Sequence, residues 1–392
     1  MFYNKNMDAI IRLKTLTEQM SLEPDAEHSM NSAPLGDTVN CPDEVFVHPA
    51  ILPNGQKIKL LKTLLSSACE RDCYYCPFRA GRDTRRATFQ PEEFARLFTM
   101  LVAKGIAEGV FLSSGMIGGG IRTEDKLIDT ADILRHKLGF RGYIHLKVMP
   151  GSERAQVERA MQLADRVSVN LEAPNTERLS RLAPHKQFTE ELLQPLSWIE
   201  EIRRTQPADH SWKGRWPSSA TQFVAGGSGE TDLELLTTTQ YLYSRLGLKR
   251  AYFSRFNPIS NTPLENLPPT PLIREHRLYQ ASFLLRDYGF EVEELPFEGD
   301  GQLPTHLDPK LAWARENLGE QPIEINRADR RMLLRVPGIG PKSVETILRV
   351  RRGGKIREVS SLRKLGIITI RAVPFLLLDG RRPVFQLSLI KT

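Results

Sequence analysis

The stretch Cys69-Glu70-Arg71-Asp72-Cys73-Tyr74-Tyr75-Cys76 places three cysteines within eight residues, and the chain of 392 residues has one further cysteine, Cys41. Such spacing is typical of ligands, because thiolates are soft donors that bind zinc or iron–sulfur clusters. Three ligands are one short of a closed tetrahedral zinc site, for which His48 and Cys41 are the nearest additional candidates. They suffice for a four-iron cluster with one iron left open to bind a cofactor.

The sequence around the cysteines predicts alternating strands and helices. Val45 to Leu52 and Lys57 to Leu65 read as strands joined by a tight turn at Pro53-Asn54-Gly55, and the second strand runs into the cysteines. The remaining elements are predicted as helix 91–103, strand 109–114, helix 124–138, strand 143–149, helix 153–163, strand 166–171, helix 189–203, strand 221–225, helix 232–246, strand 250–256 and helix 271–287. Six such units indicate an α/β fold, a partial barrel whose active site lies at the carboxyl ends of parallel strands.

Composition bounds the class of protein. The chain is 40% hydrophobic and 26% charged, and no apolar run approaches the roughly 18–20 residues of a membrane span. Since Met1 to Asp8 lacks a signal-peptide pattern, we expect a cytoplasmic protein with no membrane partner. Residues 1–45 are interpreted as a leader with a helix from Asp8 to Met20. Cys41 is interpreted as an incidental or buried thiol, with a hydrogen-atom donor or a thiol near the cluster as the alternative.

Charge is distributed unevenly along the chain. The net charge is +7, but residues 320–392 hold 16 Lys and Arg against 6 Asp and Glu, a charge of +10, which leaves −3 for the rest. An asymmetry of this kind indicates binding to nucleic acid or another polyanion. A solvated basic tail is the alternative, although this segment also has a strong apolar pattern.

The basic segment contains a glycine turn, Val336-Pro337-Gly338-Ile339-Gly340-Pro341-Lys342, between predicted helices 326–334 and 342–350. Two glycines permit a tight turn, and the following helix start favours an anion such as phosphate. The turn resembles a helix-hairpin-helix DNA-binding element, and a helical hairpin for protein contact is the alternative. The candidate DNA-binding residues are Gly338, Gly340, Lys342, Arg351 and Arg352.

The spacing Cys-x3-Cys-x2-Cys after a first strand, with Tyr75 just before the last cysteine, resembles the radical S-adenosylmethionine (SAM) superfamily over roughly residues 55 to 295. The resemblance implies that Cys69, Cys73 and Cys76 bind a [4Fe-4S] cluster and that S-adenosyl-L-methionine binds its open iron. An external electron donor would drive reductive cleavage to a 5′-deoxyadenosyl radical that abstracts hydrogen.

The same resemblance implies cofactor-binding positions beyond the cysteines. Tyr75 and Gly226 would lie near the adenine, Ser114 and Gly115 near the methionine amino group, and Asn170 and Glu172 near the ribose hydroxyls. The acidic residue that usually follows the second strand is missing here. A structural role at the strand ends is the alternative for these polar residues.

These features predict a domain order. Residues 46–300 would form the partial (β/α)6 barrel, 301–325 a linker, and 326–392 a small all-α helix-hairpin-helix domain. The combination resembles a family of radical SAM proteins assigned to DNA modification or repair and often paired with a glycosylase-like partner. Two alternatives remain open: a radical SAM enzyme that modifies RNA or tRNA, and a redox-sensing iron–sulfur DNA-binding protein without catalytic activity.

Overall fold

The computed structural model of the chain describes residues 2–20, 47–52 and 55–383, with side chains from Asp8 onward. Its larger sheet has seven strands in these residues, and each strand pairs with the next one along the chain. The strands are β1 (Val47–Ile51), β2 (Lys57–Leu64), β3 (Gly109–Ser113), β4 (Tyr143–Lys147), β5 (Arg166–Ser168), β6 (Ser218–Ala225) and β7 (Arg250–Arg255). β1 is antiparallel to β2, and every later pair is parallel. The curled sheet is a half-barrel, which confirms the predicted α/β fold.

Helices precede and connect the strands. They are α1 (Phe2–Met20), α2 (Pro91–Ala103), α3 (Gly119–Asp132), α4 (Arg154–Leu163), α5 (Thr176–Leu182), α6 (Gln194–Thr205), α7 (Asp232–Arg245) and α8 (Leu272–Asp287). A π-helical turn at Ile133–Lys137 extends α3, and another at Phe188–Leu193 leads into α6. Helix α5 was not predicted from the sequence, although Asn175 caps it by accepting a hydrogen bond from the Arg178 amide at 2.9 Å. None of the described helices is long and apolar enough to cross a membrane.

One face of the parallel strands is almost completely buried. Its side chains that are at most 1% exposed come from all six parallel strands: Leu61, Val110, Leu112, Ile144, Leu146, Val167, Phe223 and Phe253. Burial of this extent stabilises the sheet by roughly 25 cal/mol per Å² of apolar surface. The packed sheet therefore holds the loops at its carboxyl edge on a rigid support.

The helix predicted from Asp8 to Met20 is present and begins at Phe2. Its Leu13 and Leu16 side chains are fully buried. Arg12 pairs with Glu93 of α2 and donates to the Thr88 carbonyl oxygen at 3.1 Å. Residues 21–46, which include Cys41 and the rest of the predicted leader, lie outside the described residues, as do Pro53 and Asn54 of the predicted turn.

Strand β5 ends at Ser168, three residues earlier than predicted. Beyond Ser168 the Thr221 hydroxyl bonds to the backbone of the chain that follows β5. It donates to the Val169 carbonyl oxygen at 2.7 Å and accepts from the Leu171 amide at 3.1 Å. Glu172 then adopts a left-handed backbone with φ of 65°, which is uncommon for a residue with a side chain and is often found at functional sites. This departure from the ladder carries Asn170 and Glu172 to the edge of the sheet.

A second compact unit consists of residues 231–240 and 272–392, of which 384–392 are not described. Besides α8 and the first part of α7, it contains α9 (Pro309–Leu318), α10 (Arg330–Arg335), α11 (Pro341–Val350), α12 (Val359–Lys364) and α13 (Thr369–Ala372). A two-residue parallel pair, β8 (Ile323–Glu324) and β9 (Leu376–Leu377), adds to the helices that the sequence predicted. The apolar core of this second unit includes Leu333, Leu334, Val336, Ile339, Val344, Ile347, Leu362 and Phe375.

Helices α10 and α11 flank the glycine turn at positions 336–340. The first begins at Arg330, four residues later than predicted, because the Asp329 carboxylate caps it by accepting from the Met332 amide at 2.7 Å. Gly338 has φ of 81°, and a Cβ there would lie 2.6 Å from the Ile368 carbonyl oxygen. Lys310 donates to the Ile339 carbonyl oxygen at 2.6 Å, and burial lowers the pKa of this lysine to about 7. The turn is thus held from within its own unit.

Candidate active site

The three cysteines of the 69–76 stretch lie in the loop that follows β2, at the carboxyl edge of the half-barrel. Cys73 is 7% exposed, and Cys69 and Cys76 are half-buried. Backbone amides are directed at two of the sulfurs: Met116 N lies 3.4 Å from Cys69 Sγ, and Phe78 N lies 3.4 Å from Cys76 Sγ. Amide donors of this kind stabilise thiolates and tune the potential of a cluster that the thiolates hold.

Arg86 closes the cysteine loop by donating to three backbone carbonyl oxygens. Its guanidinium lies 2.6 Å from Ser67 O, 2.9 Å from Phe78 O and 3.0 Å from Arg79 O. These three residues belong to the two ends of the loop, before Cys69 and after Cys76. The bonds therefore fix the loop in one shape before any ligand binds, since each is a charge-assisted hydrogen bond.

Ser114 and Gly115 lie at the end of β3, against the start of the cysteine loop. The Gly115 amide donates to the Ser66 carbonyl oxygen at 2.6 Å. A Cβ at Gly115 would lie 2.2 Å from the Ala68 carbonyl oxygen, so this position accepts no side chain. The two segments are also joined by the Glu70 amide, which donates to Met116 O at 2.8 Å.

A carboxylate of the cysteine loop binds the glycine cluster that follows β3. The Glu70 carboxylate accepts from the Gly118 amide at 2.9 Å and from the Gly119 amide at 2.8 Å, at the start of α3. Gly118 and Gly119 both have positive φ, which glycine adopts at little cost. The predicted glycine cluster therefore anchors the cysteine loop to α3.

An open pocket of about 820 Å³, counted with its solvent-open part, lies beside the cysteines. Most of the predicted cluster and cofactor residues line it: Cys69, Cys73, Cys76, Tyr75, Ser114, Gly115, Asn170 and Glu172. Gly226 is not among its lining residues, and its amide instead bonds to the Glu230 carboxylate. The structure thus brings together eight of the nine predicted positions from three different strand ends.

Lys186 is a pocket residue that was not predicted from the sequence, and it contacts two residues that were. Its Nζ donates to the Tyr75 hydroxyl at 2.9 Å and lies 3.4 Å from Glu172 Oε1. Its side chain is 9% exposed. Burial alone would lower the pKa of Lys186, but the nearby Cys73 and Glu172 charges outweigh it and raise the pKa. The lysine comes from an irregular segment after α5, where no periodicity marks it.

Glu172 has an unused acceptor in this pocket. The residue is 3% exposed, and its Oε2 atom has no hydrogen-bond partner among the described residues. A buried carboxylate oxygen left unpaired costs free energy, and a ligand hydroxyl would satisfy it. Other pocket residues to which the sequence assigned no role are Arg71, Met116, Lys147, Met149, Leu192 and Gln222.

The structure also positions the five residues predicted to contact DNA. Gly340 immediately precedes α11. Lys342 is exposed in the first turn of this helix, and Arg352 is exposed just beyond the end of the helix. No ion pair joins Lys342 or Arg352 to a described residue. Arg351 is half-buried and donates to Ala328 O at 2.5 Å and Ile325 O at 3.3 Å. Gly338 lies inside the turn, against Ile368.

Residues 63–240 match the family model of the radical SAM superfamily. These residues therefore form a radical SAM domain, and enzymes of this superfamily use a [4Fe-4S] cluster and SAM. Searches among curated proteins give no match for the chain.

The solved structures to which the chain is similar include three proteins that are at most 15% identical to it. Methylornithine synthase PylB is 14% identical, with 79% of this chain and 86% of that chain covered and a TM-score of 0.45. The FeFe-hydrogenase maturase HydG from Carboxydothermus hydrogenoformans is 15% identical, with 58% and 51% covered and a TM-score of 0.43. A radical SAM methyltransferase from Sphaerobacter thermophilus is 15% identical, with 61% and 74% covered and a TM-score of 0.42. The chain spans about half the length of HydG.

The donor set fits the superfamily's cofactors. Three thiolates, two of them receiving amide hydrogen bonds, suit a cluster that needs one further ligand from outside the protein. The unpaired Glu172 oxygen suits a sugar hydroxyl. Gly115 has no side chain, so SAM could approach its backbone closely. Cys69, Cys73 and Cys76 would hold the cluster, and Tyr75, Ser114, Asn170 and Glu172 would hold SAM.

Replacing Lys186 with Met is expected to weaken SAM binding by about 10- to 100-fold while iron content stays at the wild-type level. The change leaves Glu172 buried without a cation and the Tyr75 hydroxyl without its donor, and loss of one charged hydrogen-bond partner typically costs this much. Equilibrium binding of SAM to the anaerobically reconstituted protein measures the effect. Lys104→Met, at an exposed position after α2, is the matched control. Equal affinity in both variants would contradict the assigned role.

Proposed function

We propose that this protein is a radical SAM enzyme that acts on DNA, in its modification or repair. The observation that carries the proposal is the glycine turn between α10 and α11, with two exposed cations, in the same chain as the cysteine pocket. The charge of the terminal segment supports it, since residues 320–392 carry +10. A chain that combines these parts would bring a nucleic acid to a radical site.

The turn would contact phosphates and would not read bases. Backbone amides at the start of α11, a helix of ten residues, favour an anion. Lys342 and Arg352 would add charge–charge contacts, which position a protein on the nucleic-acid backbone without sequence specificity. Arg351 would act indirectly, because its guanidinium is engaged by two backbone carbonyl oxygens.

The cysteine pocket would perform the chemistry. When bound, the reduced cluster and SAM supply abstraction of a hydrogen atom from the substrate. The protein's own part would be to hold the cofactors in a pocket where Cys73 is nearly buried, to keep solvent away from them, and to admit the reacting nucleotide. A stacked base cannot enter such a pocket, so the nucleotide would be single-stranded or flipped out of the duplex. An external electron donor and a glycosylase-like protein partner complete the proposal.

DNA binding tests the first step of this function. We expect Lys342→Gln and Arg352→Gln each to weaken binding of duplex DNA regardless of its sequence and to lower the salt slope of log K by about one. Fluorescence anisotropy across a range of salt concentrations measures both. Arg315→Gln, at an exposed position on α9 of the same unit, is the matched control.

Competition between nucleic acids separates the proposal from its alternative. The wild-type protein should be displaced from labelled duplex DNA by unlabelled duplex at lower concentration than by tRNA. Tight binding of tRNA with no binding of duplex DNA would contradict the proposal and favour an RNA-modifying enzyme. Equal DNA binding by wild type, Lys342→Gln and Arg352→Gln would remove the turn from the proposed interface.

A further inference from the structure

The loop that follows the third cysteine is strongly basic. Residues 79–86 read Arg-Ala-Gly-Arg-Asp-Thr-Arg-Arg, with four arginines and one aspartate. The loop leaves the pocket directly, because Pro77 and Phe78 line the pocket and Arg79 is the next residue. It then returns to the sheet edge, where the Ser67 amide donates to the Ala87 carbonyl oxygen at 3.0 Å. A positive segment is therefore held at the rim of the radical site.

No ion pair within the described part of the chain neutralises the charge of the loop's four arginines. Arg86 makes the three carbonyl contacts that close the cysteine loop. Arg79 donates from one terminal nitrogen to Asn261 O at 3.1 Å and lies over the Tyr74 ring, 5.3 Å from its centroid. Both side chains are therefore held in place by the protein.

Three polar groups of the loop are buried with no described partner. They are the Nε atom of Arg79, one terminal nitrogen of Arg82 and the hydroxyl of Thr84. All three can donate a hydrogen bond, two of them from a permanent positive charge. Buried donors are rarely left unpaired in folded proteins, since each costs free energy that a partner recovers. A set in which every group can donate, and which lies in a segment of net positive charge, calls for an anion.

We propose that Arg79, Arg82 and Thr84 form a phosphate-binding subsite at the rim of the pocket, for a backbone phosphate of the strand that carries the reacting nucleotide. The inference rests on the proposed action on DNA and adds a second nucleic-acid contact, in the half-barrel unit, to the one assigned to the glycine turn. A phosphodiester fits because it offers several acceptor oxygens and one negative charge. Guanidinium groups match such oxygens in geometry as well as in charge.

Two variants separate ligand binding from a structural role. Arg82→Gln removes the charge of a group that makes no described bond, and Thr84→Val removes the hydroxyl at nearly constant volume. Neither should lower the melting temperature of the free protein, because neither breaks a described side-chain contact. Arg141→Gln is the matched control, since Arg141 is exposed beside the amino end of β4, at the opposite edge of the sheet.

The first arm uses inorganic phosphate and the cluster-loaded full chain. Phosphate should raise the melting temperature of wild type and Arg141→Gln, relative to chloride at the same ionic strength, and should raise it less in Arg82→Gln and Thr84→Val.

The second arm uses a short fluorescent single-stranded oligodeoxynucleotide. Arg82→Gln should weaken its binding about tenfold and lower the salt slope by about 0.7, the value for one phosphate contact to a single strand. Thr84→Val should weaken binding without changing the slope.

Each result decides a different point. If phosphate stabilises Arg82→Gln and Thr84→Val as much as wild type, the subsite is overturned whatever DNA does. If phosphate raises the melting temperatures as expected but the oligonucleotide binds wild type and Arg82→Gln equally, the subsite does not bind a backbone phosphate of the strand. The proposed action on DNA then stands. If phosphate raises the melting temperatures as expected and the protein binds no DNA at all, the proposed DNA function fails. The assignment of the subsite to a DNA strand fails with it, and only the anion site is retained.

Discussion

Cys73→Ala protein is expected to hold almost no iron–sulfur cluster and to form no 5′-deoxyadenosine from SAM. Cys73 is the most buried of the three cysteines, at 7% exposed, so no water-accessible donor can take its place. Changes to groups that only support metal ligands already cost about 10- to 100-fold in metal affinity, and loss of a ligand itself should cost more. Iron content, visible absorption and product formation after anaerobic reconstitution measure the effect.

The control for this prediction is Cys41→Ala, which removes the remaining thiol of the chain. It should keep the cluster, because the 69–76 stretch supplies all three cysteine ligands. Cys73→Ala should also keep the salt-sensitive DNA binding proposed for the glycine turn. If Cys41→Ala loses the cluster as completely as Cys73→Ala, the assignment of three cysteine ligands is wrong.

Gly115→Ala is the second change with a large expected effect. The new Cβ would lie 2.2 Å from the Ala68 carbonyl oxygen and 3.2 Å from Cys69 Cβ. Both neighbours are in the cysteine loop, and a backbone oxygen cannot rotate away, so the two segments must separate. Forced separation of packed segments typically costs about 1–3 kcal/mol in the free energy of unfolding. Displacement of a reactive centre by about 1 Å can cost about 100-fold in rate.

Thermal unfolding and SAM cleavage measure the two consequences separately. Gly299→Ala is the matched control, because a Cβ at Gly299 meets no atom within 4 Å and its φ is not in the left-handed region. We expect Gly115→Ala to lose both stability and SAM cleavage and Gly299→Ala to lose neither. Wild-type SAM cleavage by Gly115→Ala would show that the end of β3 does not shape the cofactor pocket.

The half-barrel could be predicted because its signals are local. Alternating strands and helices fix a parallel sheet, and three cysteines within eight residues fix their own loop at a strand end. Gly115 was singled out by the resemblance to the radical SAM superfamily, at its place after a predicted strand. The local pattern gave the wrong strand end where a tertiary contact determines the backbone conformation. At β5 the Thr221 hydroxyl of β6 bonds to the backbone, and the strand ends early.

Lys186 and the arginine loop show the other limit. Lys186 reaches the pocket from a segment without regular periodicity, more than 100 residues after its partner Tyr75. Arg79 and Arg82 are visible as charges in the sequence, but burial without a partner is a property of the folded loop. Arg351 illustrates the converse, since a cation that the sequence assigns to DNA is held by two carbonyl oxygens of its own unit. Charge patterns locate basic segments, and folded contacts decide which charges remain available.

Transfer of deuterium from DNA into 5′-deoxyadenosine tests the central claim most directly. The reconstituted protein is incubated anaerobically with reductant, SAM and DNA deuterated at its carbon-bound positions, and the 5′-deoxyadenosine is analysed by mass spectrometry. We predict deuterium in the product, absent with Cys73→Ala and reduced with Lys342→Gln. Product without deuterium from DNA, together with transfer from equally labelled RNA, would contradict the account.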